Sequence, residues 1–302
     1  MITIASVIFK NRRYFEINRD LTKRLNADVP FKWILADNEL GTNRSLAASD
    51  IEVIDGAESV QSKDAGSLHH ARALQQCLGK VKGRFVLLLD PDFFVLRPNW
   101  ISDLLAHMEA SDLHFFGSVW HPRWYYQYRY FPTVHFMCID LQKVAKQSLD
   151  LLPGIKNDRF WHFINHPRPF LPDWLRLRLK IGRIRDTGHK VYRRYAHDES
   201  VRFQTLLPSY TPPPTFATWM ESKLGRFLEE RWCFIPQKDE MFTSDSFLKQ
   251  RAQQAYWSGW EEFFWKGDPF AFHLRSVGRQ SSPSKELALL KPTLHALEAP
   301  GF

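Results

Sequence analysis

The chain has 302 residues, of which 44% are hydrophobic and 25% charged. These are the proportions of a globular protein, and they set aside fibrous and intrinsically disordered classes. A net charge of +8 favours anionic partners such as nucleotide phosphates, nucleic acid or an acidic membrane face, without choosing among them. The three cysteines, Cys77, Cys138 and Cys233, are odd in number, far apart and set among apolar neighbours. That pattern excludes a disulfide frame or a cysteine zinc site and reads as reduced, buried thiols.

Taken in chain order, the first half alternates strand and helix. Residues 2–9 form a near-continuous apolar run, expected as a strand buried on both faces of a parallel sheet. The run is too short to span a membrane and lacks the basic start and cleavage site of a signal peptide, so a cytoplasmic protein is expected. A helix is predicted over 11–26, anchored by Phe15, Leu21 and Leu25, then strands at 31–36 and 51–54. Ser67 is the expected N-cap of a helix carrying Leu68, Ala71, Leu74 and Leu78. Residues 84–89 (RFVLLL) give the strongest buried-strand signal. Further on, a helix is expected over 98–110 and strands over 113–119, 134–139 and 270–274. Alternating strands and helices imply βαβ units and an open α/β sheet.

The chemistry is concentrated where the strongest strand ends. Leu89-Asp90-Pro91-Asp92 places two carboxylates at a carboxyl edge, where open α/β sheets bind their ligands. Residues i and i+2 of an extended backbone point the same way, so Asp90 and Asp92 can converge on one ion. Pro91 disfavours a helical conformation for Asp90. Adjacent carboxylates repel unless a cation or proton separates them. Mg²⁺ or Mn²⁺ resolves that repulsion and keeps positions free for phosphate oxygens. A bare pair of this kind is more often an acidic turn, and the decision rests on its surroundings.

Those surroundings are SLHHARALQQCLGKVKGRFVLLLDPDFFV (67–95), the opening ITIASVIFKNRRYF and ILADNE (34–39). Together they resemble the donor-binding half of family-2-like GT-A glycosyltransferases over roughly residues 2–140. The resemblance implies a GT-A, Rossmann-like fold: a mixed, mostly parallel sheet flanked by helices, with an aromatic and basic acceptor-side insertion and a C-terminal helical segment. It implies a nucleotide-sugar-binding half at 1–140, an acceptor-side half of the same domain at 141–280 and a tail at 281–302. It also implies metal-dependent transfer from a nucleotide-diphosphate sugar to a saccharide or lipid-linked acceptor.

Carried over residue by residue, Asp92 is the direct metal ligand. Asp90 joins it or contacts the donor ribose, and Asp37 reads the nucleobase. Arg72 is a candidate diphosphate contact, with His69 and His70 weaker candidates beside it. His273, in FAFHL, is the candidate third metal ligand, and Arg275 the candidate partner of the leaving diphosphate. An inverting transfer needs a carboxylate base, for which Asp198 or Glu199, expected to open a helix, and Asp186 are the candidates. The Asp198-Glu199 pair also has a bland explanation in the helix dipole.

Trp120, His121, Trp124, Tyr125 and Tyr126 follow the site and suit either sugar stacking or core packing. Residues 174–185 alternate apolar and basic, as a solvated strand face or a surface for an anionic membrane or glycan. Two other classes compete. A haloacid-dehalogenase-type phosphatase places its acidic pair on the first strand, whereas here it lies on about the fourth. A non-catalytic basic protein binding nucleic acid would show steep salt dependence and no metal dependence.

Overall fold

The computed structural model describes residues 1–57, 65–122, 130–153, 187–211, 242–248 and 260–274, together with Leu290 and Leu294. Three layers build the body. A seven-stranded sheet holds β1 (Ile2–Ile8), β2 (Phe31–Asp37), β3 (Ile51–Asp55), β4 (Phe85–Leu89), β6 (Phe115–Gly117), β7 (Phe136–Asp140) and β8 (Phe203–Thr205). Its order is β3-β2-β1-β4-β7-β6-β8. Every residue of β1 and β4 is buried, as expected where both faces of a strand are covered.

Alternation divides each strand between two cores. Ile2, Ile4 and Ile8 join Phe15 of α1 (Arg12–Leu25) and Trp100, Ile101 and Leu104 of α3 (Trp100–Ala110). Ala5 and Val7 face the opposite way, onto Leu74, Cys77 and Leu78 of α2 (Ala65–Lys80) and Val191 and Tyr195 of α4 (His189–Tyr195). Burial of each large apolar side chain contributes about 1.5–3 kcal/mol relative to exposure, so this pattern fixes which face each helix covers.

A second sheet, in the order β5-β11-β10-β9, joins β5 (Phe93–Val95) to β9 (Leu207–Pro208), β10 (Glu261–Trp265) and β11 (Asp268–His273). It packs Phe263, Trp265 and Phe270 against the first core. Among the described residues the chain steps directly from a strand of the first sheet into one of the second at two places, between Leu89 and Phe93 and at Leu206. The first of these crossings carries the acidic pair.

Several elements differ from expectation. α2 begins at Ala65, so Ser67 lies inside its first turn and is not the cap. Asp198 and Glu199 do not open a helix; they follow α4 in a turn, where Asp198 Oδ1 accepts bonds from Ser200 N (3.0 Å) and Oγ (2.6 Å). Strands β5, β8, β9 and β10 were not expected at all. Among the described residues, no helix is long and apolar enough to cross a membrane.

Candidate metal centre

Asp90 sits where β4 leaves the sheet. Leu89 pairs with Phe136 across the antiparallel β4–β7 ladder, and Asp90 N donates to His135 O at 2.9 Å. That bond carries the register one residue further and makes Asp90 and His135 cross-strand neighbours. Their side chains meet at 2.7 Å, His135 Nδ1 to Asp90 Oδ2. From α2, His70 Nε2 lies 3.4 Å from the other oxygen, Oδ1. Burial by itself raises the Asp90 pKa, but the hydrogen bonds and charge of His135 and His70 outweigh it and hold the carboxyl far below the usual range.

The turn after Asp90 is fixed from both sides. Phe93 N donates to Asp90 O at 3.0 Å, closing the turn. Buried Asn18 on α1 donates Nδ2 to Pro91 O (3.2 Å) and Phe93 O (2.8 Å). At the base of the site Ser6 Oγ donates to Leu89 O at 2.6 Å and accepts from Trp33 Nε1 at 2.9 Å.

β11 supplies the other half. His273 pairs with Phe93 on one side and Glu261 on the other, while Leu274 N donates to Asp92 O at 3.0 Å. His273 is almost fully buried, with Nδ1 2.9 Å from Glu261 Oε2 and Nε2 3.5 Å from Asp92 Oδ1. Its ring lies 4.7 Å from that of His135, tilted by 35°. Trp120 closes the far wall, edge-on to His135 at 4.6 Å.

Asp90, His135 and His273 each offer a ligand atom, all within 4.8 Å of one another; among the described residues this is the one such group. The sequence reading paired Asp90 with Asp92, and the structure instead gathers Asp90 with two imidazoles, Asp92 flanking through His273. The donor set suits a divalent cation. Carboxylates and imidazoles supply its ligands, and Glu261 behind His273 Nδ1 leaves Nε2 as the ligating atom.

The remaining expected site residues divide by position. Asp37 is fully buried and spent within its own loop, accepting from Glu39 N, Gly41 N, Asn43 N and Asn43 Nδ2 at 2.8–3.0 Å. Burial raises its pKa and those bonds more than reverse the effect. So satisfied, Asp37 organises the turn and has no free oxygen turned toward a base. Arg72 is exposed on α2. His69 is buried and bonds the carbonyl of Ala57, so only His70 of that pair reaches the centre.

Asp198 and Glu199 are on the wrong side of the sheet. β8 runs parallel to β6, β6 antiparallel to β7, and β7 antiparallel to β4. Strands β4, β6 and β8 therefore point the same way. Asp90 follows β4 at the carboxyl rim, whereas Asp198 and Glu199 precede β8 at the amino rim, where His114 N bonds Arg202 O. A five-residue strand separates the rims by about 13 Å, beyond the reach of a direct proton transfer. Asp186, Arg275, Trp124, Tyr125, Tyr126 and the basic stretch 174–185 lie outside the described residues. His121 is buried, bonding Ser209 O at 2.8 Å, and belongs to the packing.

His135 is the residue that sequence reasoning passed over. A histidine within an expected strand gives no sign of its importance until the antiparallel register beside β4 is known. Glu261 was missed for the same reason.

The sheet order, the acidic turn after β4 and the histidine on a hairpin paired with β5 define a GT-A-like fold. No protein-family model and no curated protein sequence matches the chain. Similar solved structures include TarS 1–349 of S. aureus in complex with UDP-GlcNAc, at 12% identity and a TM-score of 0.36, covering 50% of this chain and 48% of that one. Another is the mannosyltransferase PcManGT of Pyrobaculum calidifontis with GDP-Man and Mn²⁺, at 12% and 0.36, covering 49% and 48%. A third is the galactosyltransferase LgtC with donor and acceptor sugar analogs, at 14% and 0.33, covering 47% and 59%. The chain spans less than two thirds of the length of each, and at these scores the likeness carries no argument about what it binds.

Proposed function

We propose that the chain is a metal-dependent glycosyltransferase, moving a sugar from a nucleotide-diphosphate donor to a saccharide or lipid-linked acceptor hydroxyl. The observation that carries this reading is the convergence of Asp90, Asp92, His70, His135 and His273 at the carboxyl rim of a GT-A-like sheet. Asp90, His135 and His273 would hold the cation, with Asp92 beside them. A divalent cation there would neutralise charge on the leaving diphosphate.

The chain's own residues do the rest. Asn18 braces the Asp90–Phe93 turn and Ser6 the end of β4 just before it, which pre-sets the carboxylates for the donor. Trp120 packs edge-on against the His135 ring and backs it. The carboxylate base falls to Asp186: the neighbouring Thr187 donates Oγ1 to Ser67 O in the first turn of α2, on the helix that brings His70 to Asp90. A carboxylate base in that role is what an inverting transfer needs. A cytoplasmic location, with peripheral contact to an anionic membrane, goes with a lipid-linked acceptor. The phosphatase reading has an obstacle in Asp90 itself, since both oxygens of the would-be nucleophile face imidazoles.

A thermal-shift panel of UDP, GDP, CDP and dTDP, with and without Mn²⁺, tests the proposal. A cognate nucleotide at one hundred times its Kd stabilises by about 2.7 kcal/mol, which moves Tm by several degrees. The Mn²⁺-dependent part of that shift is expected to vanish in Asp90→Asn. No shift with any nucleotide would sink the transferase reading. A salt-sensitive, metal-independent response to nucleic acid would replace it with the binding-protein alternative.

A further inference from the structure

The acidic pair and a late histidine were expected at this site, but His135 was not. We propose that His135 is itself a metal ligand. With His273 it makes the centre select a d-block divalent cation (Co²⁺, Zn²⁺, Fe²⁺ or Mn²⁺) against Mg²⁺. The inference deepens the transferase reading by naming its cation, and rests on that reading only for the cation's purpose.

The geometry comes first. Ligands bound at about 2.1 Å in adjacent positions of a coordination shell lie about 3 Å apart. His135 Nδ1 and Asp90 Oδ2 are 2.7 Å apart, so a cation between them needs only a few tenths of an ångström of adjustment. The two imidazoles lean toward one space, with ring centroids 4.7 Å apart. Both residues are positioned by strand pairing. The β4–β7 ladder fixes His135 opposite Asp90, and the β11 pairings fix His273 between Phe93 and Glu261.

Chemistry then selects the metal. Mg²⁺ prefers oxygen ligands in a near-ideal octahedron and keeps several waters. Imidazole nitrogen binds the later divalent metals far better. A site with one carboxylate and two imidazoles thus holds a d-block cation before any phosphate arrives, whereas Mg²⁺ would depend on the donor's oxygens. The opposing role for His135 is that of a positioning residue, donating a hydrogen bond to Asp90 and never touching the metal. Asparagine at 135 can still donate that bond, which separates the two.

The test titrates the full chain and His135→Asn with Co²⁺, followed by its visible absorption, and with Mg²⁺, followed by calorimetry, both without nucleotide. The wild type is expected to bind Co²⁺ well over tenfold more tightly than Mg²⁺. His135→Asn is expected to weaken Co²⁺ by at least about tenfold while Mg²⁺ changes by less than threefold. Equal affinities in the wild type, or a variant that binds Co²⁺ as well as the wild type does, would overturn the proposal.

Should the variant fail to fold, pulsed EPR on the Mn²⁺-loaded wild type decides. Couplings to two imidazole nitrogens support the assignment, and coupling to one overturns it. The nucleotide panel keeps the two readings apart. Cobalt binding without any nucleotide response sinks the transferase and leaves the metal site. Nucleotide binding supported equally by Mg²⁺ and Co²⁺ does the reverse.

Discussion

Glu261 and His273 show how a single buried pair sets the behaviour of the site. Burial alone disfavours a charged His273 ring, but the hydrogen bonds and charges of Asp92 and Glu261 outweigh it and push its pKa up to about 10. The metal-free protein therefore carries an imidazolium at neutral pH. Its contribution to stability is complete below the ordinary histidine pKa of about 6.5 and is lost as pH rises through about 10. A cation must displace that proton, so affinity rises with pH, by about tenfold per unit for each proton released. Calorimetry at pH 7.5 in two buffers of different ionisation enthalpy is expected to count about one proton from His273. Glu261→Gln removes the charge behind the ring. It is expected to reduce that proton count and to weaken the cation by about 10–100-fold. A variant matching the wild type in both measurements would show that Glu261 only fills space.

At the level of elements, the site is made by strand pairings rather than by any one segment. The β4–β7 ladder brings His135 to Asp90, β5–β11 brings His273 to the acidic turn, and β10–β11 brings Glu261 to His273. Asp90, Asp92 and His273 were visible in the sequence, whereas their partners His135 and Glu261 were not, because register across distant strands leaves no local periodicity. Strand β5 escaped notice because its three residues follow a turn at once. Asn18 shows what the turn needs: Asn18→Ala leaves the carbonyls of Pro91 and Phe93 without their donor, at a cost of about 1–3 kcal/mol by denaturant titration. Cation affinity should fall with it, and a variant unchanged in both would free the turn from α1. Gly117 marks the tightest approach, since a Cβ there would lie 2.0 Å from Phe136 O in the neighbouring strand. Gly117→Ala should therefore lose about 3 kcal/mol or fail to fold, and near-wild-type stability would refute that crowding.

Over the whole molecule, the direction of the strands decides which acidic residues can act. With Asp198 and Glu199 at the amino rim, Asp198→Asn and Glu199→Gln are expected to change kcat by less than about threefold, against the hundredfold or more lost when a general base is removed. A large loss in either would show that the chain around them reaches the opposite rim. The composition, the alternation of strand and helix in the first half and the carboxylates closing the most apolar strand were all legible in the sequence. Burial dictates local pattern, and local pattern is what a sequence displays. The sequence by itself thus determined an open α/β sheet with Asp90 and Asp92 at its edge. Only the tertiary structure decided that Asp90 answers to His70 and His135, that Glu261 governs His273, that Asp37 serves its own loop and that the expected base lies across the sheet. Those outcomes depend on register and strand direction, which arise from contacts between residues far apart in the chain.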